Sequence, residues 1–194
     1  MKKIILTAAA VMAFAFTNAQ ETKFGVKAGV NLANVGGDFE DTSSKIGFHV
    51  GGFAEFKLSD KFSIQPELLF STQGAKSDGQ EEDGIAYDAK LNLSYLNIPV
   101  MAKFYVAEKF SLEAGPQIGF LLSAKSKYEA GSFSEDVDVK DAYESIDFGV
   151  NFGAGYDFTE NLSAGVRYNL GLANIAKTED GGDFKINNSV FSLS

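Results

Sequence analysis

The chain of 194 residues has no cysteine, no tryptophan and a single histidine, His49. Without cysteine, disulfide scaffolds, thiol catalysis and Cys-ligated zinc are excluded. One histidine also leaves no multi-histidine metal site within a single chain. Basic residues are the minority, with 17 Lys and Arg against 26 Asp and Glu and a formal net charge of −9. This acidic balance argues against a nucleic-acid partner, which would favour a basic surface.

Long hydrophobic runs are missing too, apart from one at the N-terminus. Ile4 to Phe16 is apolar, follows Lys2 and Lys3, and precedes small residues that end at Ala19. This order is typical of a secretory signal peptide, and the run is shorter than the roughly 20 residues of a membrane-spanning helix. We predict a signal peptide over residues 1–19 and one exported domain over residues 20–194. That domain is either soluble or a membrane β-barrel, whose strands alternate in polarity.

What the rest of the chain does contain is alternation of apolar residues with polar residues or glycine. The segment from Ile146 to Phe158 is the clearest, because every even-numbered residue in it is apolar. A period of two predicts a strand with one apolar face. Similar segments begin at Phe24, Ile46, Phe62, Leu96, Phe110, Leu162 and Val190.

One stretch breaks the pattern. Leu91, Leu93 and Tyr95 are odd-numbered, whereas the apolar set from Leu96 onward is even-numbered. A β-bulge near Tyr95 and Leu96 would reconcile the two sets, and so would a preceding loop that ends later.

Three short connections resemble one another and recur about every 50 residues, around Ser59-Asp-Lys, Ala107-Glu-Lys and Thr159-Glu-Asn. Each predicts a tight hairpin turn. Between them lie four longer stretches rich in Gly, Ser, Asp and Glu, at residues 34–45, 76–90, 126–144 and 174–188. Seven connections imply eight strands, and short connections alternate with long ones. The prediction is an all-β, eight-stranded antiparallel up-and-down barrel with all short turns at one rim and all long loops at the other.

The spacing of phenylalanines on the apolar face separates a membrane barrel from a soluble one. Several of them are 8 or 10 residues apart along a strand, as Phe48 and Phe56 or Phe110 and Phe120 are. At ~3.3 Å per residue and a tilt near 40°, that spacing is roughly 20–26 Å along the barrel axis, close to the apolar band of about 25 Å in outer-membrane barrels. We therefore predict two aromatic girdles facing lipid, formed by Phe48, Phe56, Phe62, Phe70, Phe104, Phe110, Phe120, Phe148 and Phe158.

The opposite face carries glycine and charges of both signs. Glycine suits the tight interior of an eight-stranded barrel, and opposite charges there can pair across the lumen. We predict a structural polar network inside the barrel rather than an acid–base site, with Arg167 as its hub because guanidinium bridges carboxylates. Its predicted members are Lys27, Glu55, Glu67, Lys103, Glu113, Asp147, Asp157 and Arg167. His49 has the same parity and is expected to be a hydrogen-bonded interior residue.

The four longer stretches hold most of the acidic residues. Their acids, such as the Glu135-Asp-Val-Asp138 run, could bridge to lipopolysaccharide phosphates through divalent cations or bind a basic partner. The run lacks the glycine and the distal glutamate of an EF-hand loop. We favour a solvated, repulsive surface, and expect no metal site and no cofactor.

Several motifs resemble those of the outer-membrane β-barrel (porin family) domain proteins of Gram-negative bacteria. They are Phe24-Gly-Val-Lys-Ala-Gly-Val-Asn, Gln65-Pro-Glu-Leu-Leu-Phe, Tyr95-Leu-Asn-Ile-Pro, Phe148-Gly-Val-Asn-Phe-Gly-Ala-Gly-Tyr and Arg167-Tyr-Asn-Leu-Gly-Leu-Ala-Asn-Ile. The resemblance implies a small OmpA- or OmpX-like barrel in the cell outer membrane, without catalytic residues. Its implied partners are outer-membrane lipid, lipopolysaccharide and, during insertion, the barrel assembly machinery. Such barrels usually close on a strand of about ten residues ending in an aromatic. Here the sequence stops at Phe191-Ser-Leu-Ser194, and we expect truncation rather than an unusually short strand.

The functional hypothesis is a non-enzymatic outer-membrane barrel with acidic extracellular loops, acting in envelope structure, surface interaction or adhesion. The alternative is a narrow channel for small solutes. A soluble lipocalin-like binder is a third reading, since it would turn the apolar face inward.

Overall fold

The computed structural model describes residues 21–38, 42–82, 85–130, 133–177 and 185–194. The predicted signal peptide lies outside these residues, so its cleavage stays a prediction. Within them, no helix is long and apolar enough to cross a membrane.

The described residues form strands joined mainly by short irregular segments and one 3-10 turn at Lys140–Ala142. The strands are β1 (Glu21–Gly37), β2 (Ser43–Ser59), β3 (Phe62–Glu82), β4 (Ile85–Ala107), β5 (Phe110–Ala130), β6 (Phe133–Asp138), β7 (Ile146–Asp157), β8 (Ser163–Gly171) and β9 (Ile186–Leu193).

Eight of these strands close into a ring. Each is antiparallel to the next around the ring, and β9 returns to pair with β1. The short β6 stands outside the ring and pairs with the end of β5. The predicted eight-stranded up-and-down barrel is confirmed.

All three predicted short turns lie at one rim. They connect β2 to β3, β4 to β5 and β7 to β8. The connections between the other successive ring strands lie at the opposite rim, because each strand reverses the direction of the previous one.

Three of the stretches that were predicted to be long loops consist mostly of strand residues. The 76–90 stretch forms the end of the β3–β4 hairpin, where Lys76 lies opposite Lys90 and Glu82 opposite Ile85. The 126–144 stretch likewise contains the β5–β6 ladder. In the 34–45 stretch, β1 continues to Gly37 and β2 begins at Ser43. The prediction of loops there was wrong, since backbone pairing continues where side-chain alternation fades. The 174–188 stretch is irregular up to β9 in its described part.

A register irregularity does lie beside Tyr95, where a bulge was one of two alternatives, but it is not in β4 itself. The β4–β5 register does shift at Ser94 and Tyr95, but the additional residue lies in β5, between Leu121 and Ser123. Strand β4 keeps its alternation, so Leu93 and Tyr95 point into the barrel, where they are 1% and 0% exposed. Odd-numbered side chains of β4 point inwards along the strand. Towards the long-connection rim, however, the inward side chains become apolar and the outward ones polar.

This reversal creates a dry cluster inside the barrel, which we call the apolar plug. Its residues come from five strands and from the segment after β8, and all are buried. They are Val35, Ala75, Leu93, Tyr95, Leu121, Ala124, Ile175, Ala176 and Ile186.

The last strand covers only part of the first. Residues 186–193 of β9 pair with residues 30–37 of β1. Among the described residues, the remainder of β1 pairs with β2 alone.

We predict that Leu93→Ala lowers the free energy of unfolding by about 2–4 kcal/mol, because it leaves a cavity in a packed cluster. Urea unfolding of the barrel in lipid vesicles measures the change. Leu68→Ala is the matched control, since Leu68 is 51% exposed on the outer face, and its loss should be clearly smaller. Equal losses would contradict the assignment of Leu93 to a packed interior.

Candidate functional site: the barrel interior

The interior begins at the short-turn rim with a layer of charges. Lys103 of β4 donates to Glu55 of β2 at 3.0 Å and to Gln65 of β3 at 3.2 Å. The Tyr105 hydroxyl donates to the other Glu55 oxygen at 2.8 Å. Each of these residues is odd-numbered, and the odd-numbered residues form the polar, inward face of their strands here. Gln65 then donates to Glu67 at 2.6 Å and so connects this layer to the next.

Glu67 and Arg167 form the centre of the network. The guanidinium of Arg167 on β8 donates to both oxygens of Glu67 on β3, at 2.8 and 2.9 Å, and to Glu113 on β5 at 2.9 Å. Lys27 on β1 donates to Glu67 at 2.9 Å. The Glu67 side chain is fully buried, and a buried carboxylate is tolerated only when it is paired and hydrogen-bonded. Arg167 therefore bridges two carboxylates, and Glu67 receives the larger number of donors.

Two predicted members lie apart from these ion pairs. Asp147 is buried, accepts from Asn188 at 2.8 Å, and its other oxygen has no hydrogen-bond partner among the described residues. Asp157 lines a cavity of about 120 Å³ at the short-turn rim, beside Glu55 and Tyr105. The described residues give neither aspartate an ion pair. Neither aspartate therefore belongs to the ion-paired network among the described residues, which is smaller than the parity argument implied.

Above the charges lies a layer of side-chain amides that the sequence analysis did not single out. Asn169 donates to Asn151 at 3.1 Å, and Asn151 donates to Gln117 at 3.2 Å. All three are buried. Their inward parity was visible in the sequence, but amides carry no charge and belong to no motif, so nothing marked them as partners.

His49 belongs to this amide layer. Its Nδ1 lies 2.8 Å from Asn31 Oδ1, and its Nε2 lies 2.9 Å from Ser194 Oγ. Hydroxyl, imidazole and amide thus follow the order of a nucleophile, a base and an orienting group. The adjoining cavity measures only about 30 Å³, which accommodates about one water molecule and no lipid or ester. The geometry therefore supports an interior hydrogen-bonding role, as the sequence analysis expected.

The apolar plug closes the interior towards the long-connection rim. The segment after β8 folds back over it, because Ile175 N donates to Ile186 O at 2.9 Å and Glu144 N donates to Ile175 O at 2.8 Å. The side-chain oxygen of Asn174 accepts from the backbone of Ala176 at 3.1 Å and of Ile186 at 2.8 Å. This segment contributes Ile175 and Ala176 to the plug.

The outer surface of the ring is apolar. Of the predicted girdle residues, six are 38–53% exposed on this surface: Phe48, Phe104, Phe110, Phe120, Phe148 and Phe158. Phe62 and Phe70 are partly exposed. Phe56 differs, since its side chain is only 4% exposed, so the prediction that it contributes an exposed girdle ring was wrong.

The described part of the chain brings no group of three or more histidine, aspartate or glutamate side chains close enough to hold a metal ion.

Comparison with known proteins identifies the architecture. The family model described as outer membrane protein beta-barrel domain matches residues 18–177. The chain belongs to this family. It is therefore an outer-membrane barrel protein of the Gram-negative envelope. In such barrels the short turns face the periplasm and the long connections face outwards, which orients the two rims of this chain.

Two solved structures show a distant similarity to the chain. Ail, the attachment invasion locus protein of Yersinia pestis, in complex with the heparin analogue sucrose octasulfate, is 16% identical with a TM-score of 0.48, covering 90% of this chain and 96% of that one. Neisserial surface protein A is 17% identical with a TM-score of 0.49 over the same shares. No curated protein sequence matches the chain.

We predict that Arg167→Leu lowers the melting temperature of the barrel by removing the cation that bridges Glu67 and Glu113. Removing one partner of a buried ion pair typically costs about 3–5 kcal/mol. Arg167→Lys should lose less, since it keeps the charge but not the fork of donors. Heat-modifiable migration on gels measures both, and an unchanged melting temperature in Arg167→Leu would refute the hub.

Proposed function

We propose that this barrel is a non-enzymatic surface protein with a closed lumen, exported by its N-terminal segment, whose extracellular rim mediates surface interaction or adhesion. The observation that carries the proposal is the filled interior. Charged, amide and apolar layers follow one another from the short-turn rim to the long-connection rim, with side chains of facing strands in hydrogen-bonding contact. An eight-stranded barrel has room for little more than side chains.

The interior also argues against transport as the main role. A channel needs a continuous path for solute, and the apolar plug crosses that path with residues that are nearly fully buried, such as Leu93 and Ile175. The cavity beside His49 is about 30 Å³. The larger cavity, at the periplasmic rim, lies on the other side of the charged layer from the plug.

The extracellular rim has the features of an interaction surface. The β3–β4 and β5–β6 hairpins extend the sheet beyond the apolar band, and Glu135, Asp136 and Asp138 on β6 are exposed. Their carboxylates favour a basic partner, and strand pairing holds them at fixed positions instead of on a mobile loop. Strand β6 is also the last strand of the sheet, with only β5 as a neighbour among the described residues.

We predict that the full chain, refolded into planar lipid bilayers, produces no steady single-channel current, because the packed interior blocks ions. A variant in which Tyr95 and Arg167 are both replaced by alanine is the control, since it removes one large side chain from the plug and one from the network. Brief openings in that variant would show that the assay detects an unblocked lumen. Steady single-channel steps in the unmodified chain would overturn the closed-lumen proposal in favour of a channel.

We predict that cells displaying the barrel attach to a basic surface, such as polylysine, more than cells displaying a shortened form. In that form an Asn-Gly turn connects Ser126 directly to Val137 and removes the acidic hairpin tip. A second variant, Glu135→Gln/Asp136→Asn, keeps the hairpin at full length and removes two of its exposed carboxylates, so it should lose attachment as well and separates the effect of charge from that of length. Attachment is counted per folded barrel, and equal attachment of all three forms would contradict the interaction role.

A further inference from the structure

Asp147 on β7 is a buried carboxylate beside the apolar plug. It is 7% exposed, and among the described residues no lysine or arginine forms an ion pair with it. The inward cations Lys27, Lys103 and Arg167 all pair with glutamates nearer the short-turn rim. A buried charge is costly unless it is paired or coordinates a metal ion. The charge of Asp147 therefore favours a cation from outside the chain.

Asn188 on β9 directs a second oxygen to the same place. Its Nδ2 donates to Asp147 Oδ2 at 2.8 Å and to the Tyr95 hydroxyl at 3.3 Å. Asp147 Oδ1 and Asn188 Oδ1 are both buried, and neither has a hydrogen-bond partner among the described residues. Each of these oxygens is bonded to the same carbon as an atom of the hydrogen bond between the two side chains. The two unpartnered oxygens therefore belong to one small region.

Gly119 on β5 leaves room there for a third oxygen. It lies directly between Asn97 on β4 and Asp147 on β7 in the sheet. A Cβ atom at Gly119 would lie 2.7 Å from Asn97 Oδ1 and 3.6 Å from Asp147 Cβ. The Tyr95 ring lies 3.4 Å from the same point and borders it on the side of the apolar plug. We call Asn97 Oδ1, Asp147 Oδ1 and Asn188 Oδ1 the oxygen site.

The chemistry of the oxygen site favours a small monovalent cation. Carboxylate and amide oxygens are the ligands of hard cations. A single carboxylate gives the site one negative charge, which one monovalent cation neutralises. Mg²⁺ loses its water reluctantly, and Ca²⁺ takes about 6–8 oxygen ligands, so both suit sites with more carboxylates or more water. Asn97 also lines the cavity of about 30 Å³, which has room for about one water molecule as a further ligand.

We propose that the oxygen site binds a sodium ion. The ion neutralises Asp147 and joins side chains of β4, β7 and β9 across the interior, directly below the apolar plug. It thereby stabilises the closed form of the lumen and holds the last strand to the far wall of the barrel. The proposal does not depend on the adhesive role of the extracellular rim, so each can fail separately.

The test compares the melting temperature of the refolded barrel in sodium chloride and in N-methylglucamine chloride. The organic cation is too large for the site, and ionic strength and pH are kept equal. Circular dichroism in a zwitterionic detergent measures melting without adding sodium. The rise should be saturable and should reach about 5–10 °C at about 100 times the dissociation constant.

Two variants remove the site in different ways. Asp147→Asn keeps the shape and removes the charge, so it should lose the sodium-dependent rise. Without sodium it should melt no lower than the unmodified chain, because it no longer buries an unpaired charge. Gly119→Ala keeps the charge but fills the space beside Asn97 Oδ1, and it should lose the rise as well.

The matched controls are Asp157→Asn and Gly36→Ala. The first removes the same charge from the cavity at the short-turn rim, and the second adds a Cβ that meets nothing within 4 Å. Both should keep the full rise. If Gly119→Ala fails to fold, Asp147→Asn alone provides the measurement.

An equal rise in Asp147→Asn and in the unmodified chain would overturn the proposal. An unmodified chain that melts at the same temperature in both salts would overturn it too, and would indicate that Asp147 holds a proton instead of a metal ion.

Discussion

The structure depends on one constraint, that every backbone N–H and C=O in the hydrocarbon core must find a partner within the protein. A closed ring of strands satisfies it, and here the β4–β5 and β1–β9 pairings complete that ring. Closing the ring with eight strands leaves an interior only as wide as side chains. Inward residues must therefore contact each other across the lumen, as Arg167 and Glu67 do although 100 residues separate them in the chain.

The order of the interior layers follows from the surroundings of the barrel wall. Where lipid surrounds the ring, apolar side chains point outwards and polar ones must satisfy each other inside, which produces the charged and amide layers. Above the apolar band the wall meets water, so the same strands turn lysines outwards and leucines inwards. The apolar plug and the outward lysines of β3 and β4 both result from this single change, with Leu91 and Lys90 as adjacent residues on opposite faces.

Much of this fold could be predicted from alternation and turn chemistry. The period of two placed the strands, and three similar turns implied an eight-stranded ring with the turns at one rim. The same reasoning failed at Leu93 and Tyr95, because it treated parity as a fixed sign of lipid contact. It failed again at 76–90 and 126–144, because polar, glycine-rich stretches resemble loops although their backbones pair. Side-chain polarity reports the surroundings of a strand and not its hydrogen bonds.

The sequence by itself determined the architecture and the inward direction of the charged residues, since both depend only on local periodicity and on the lengths of connections. Only the tertiary structure decided which of those residues meet. Lys27, Gln65 and Arg167 donate to Glu67. Asn188 donates to Asp147, and His49 lies between Asn31 and Ser194. Those contacts depend on the register between strands, because a shift of one residue turns a side chain to the other face. Register is a property of pairs of distant strands, and no single segment of the chain contains it.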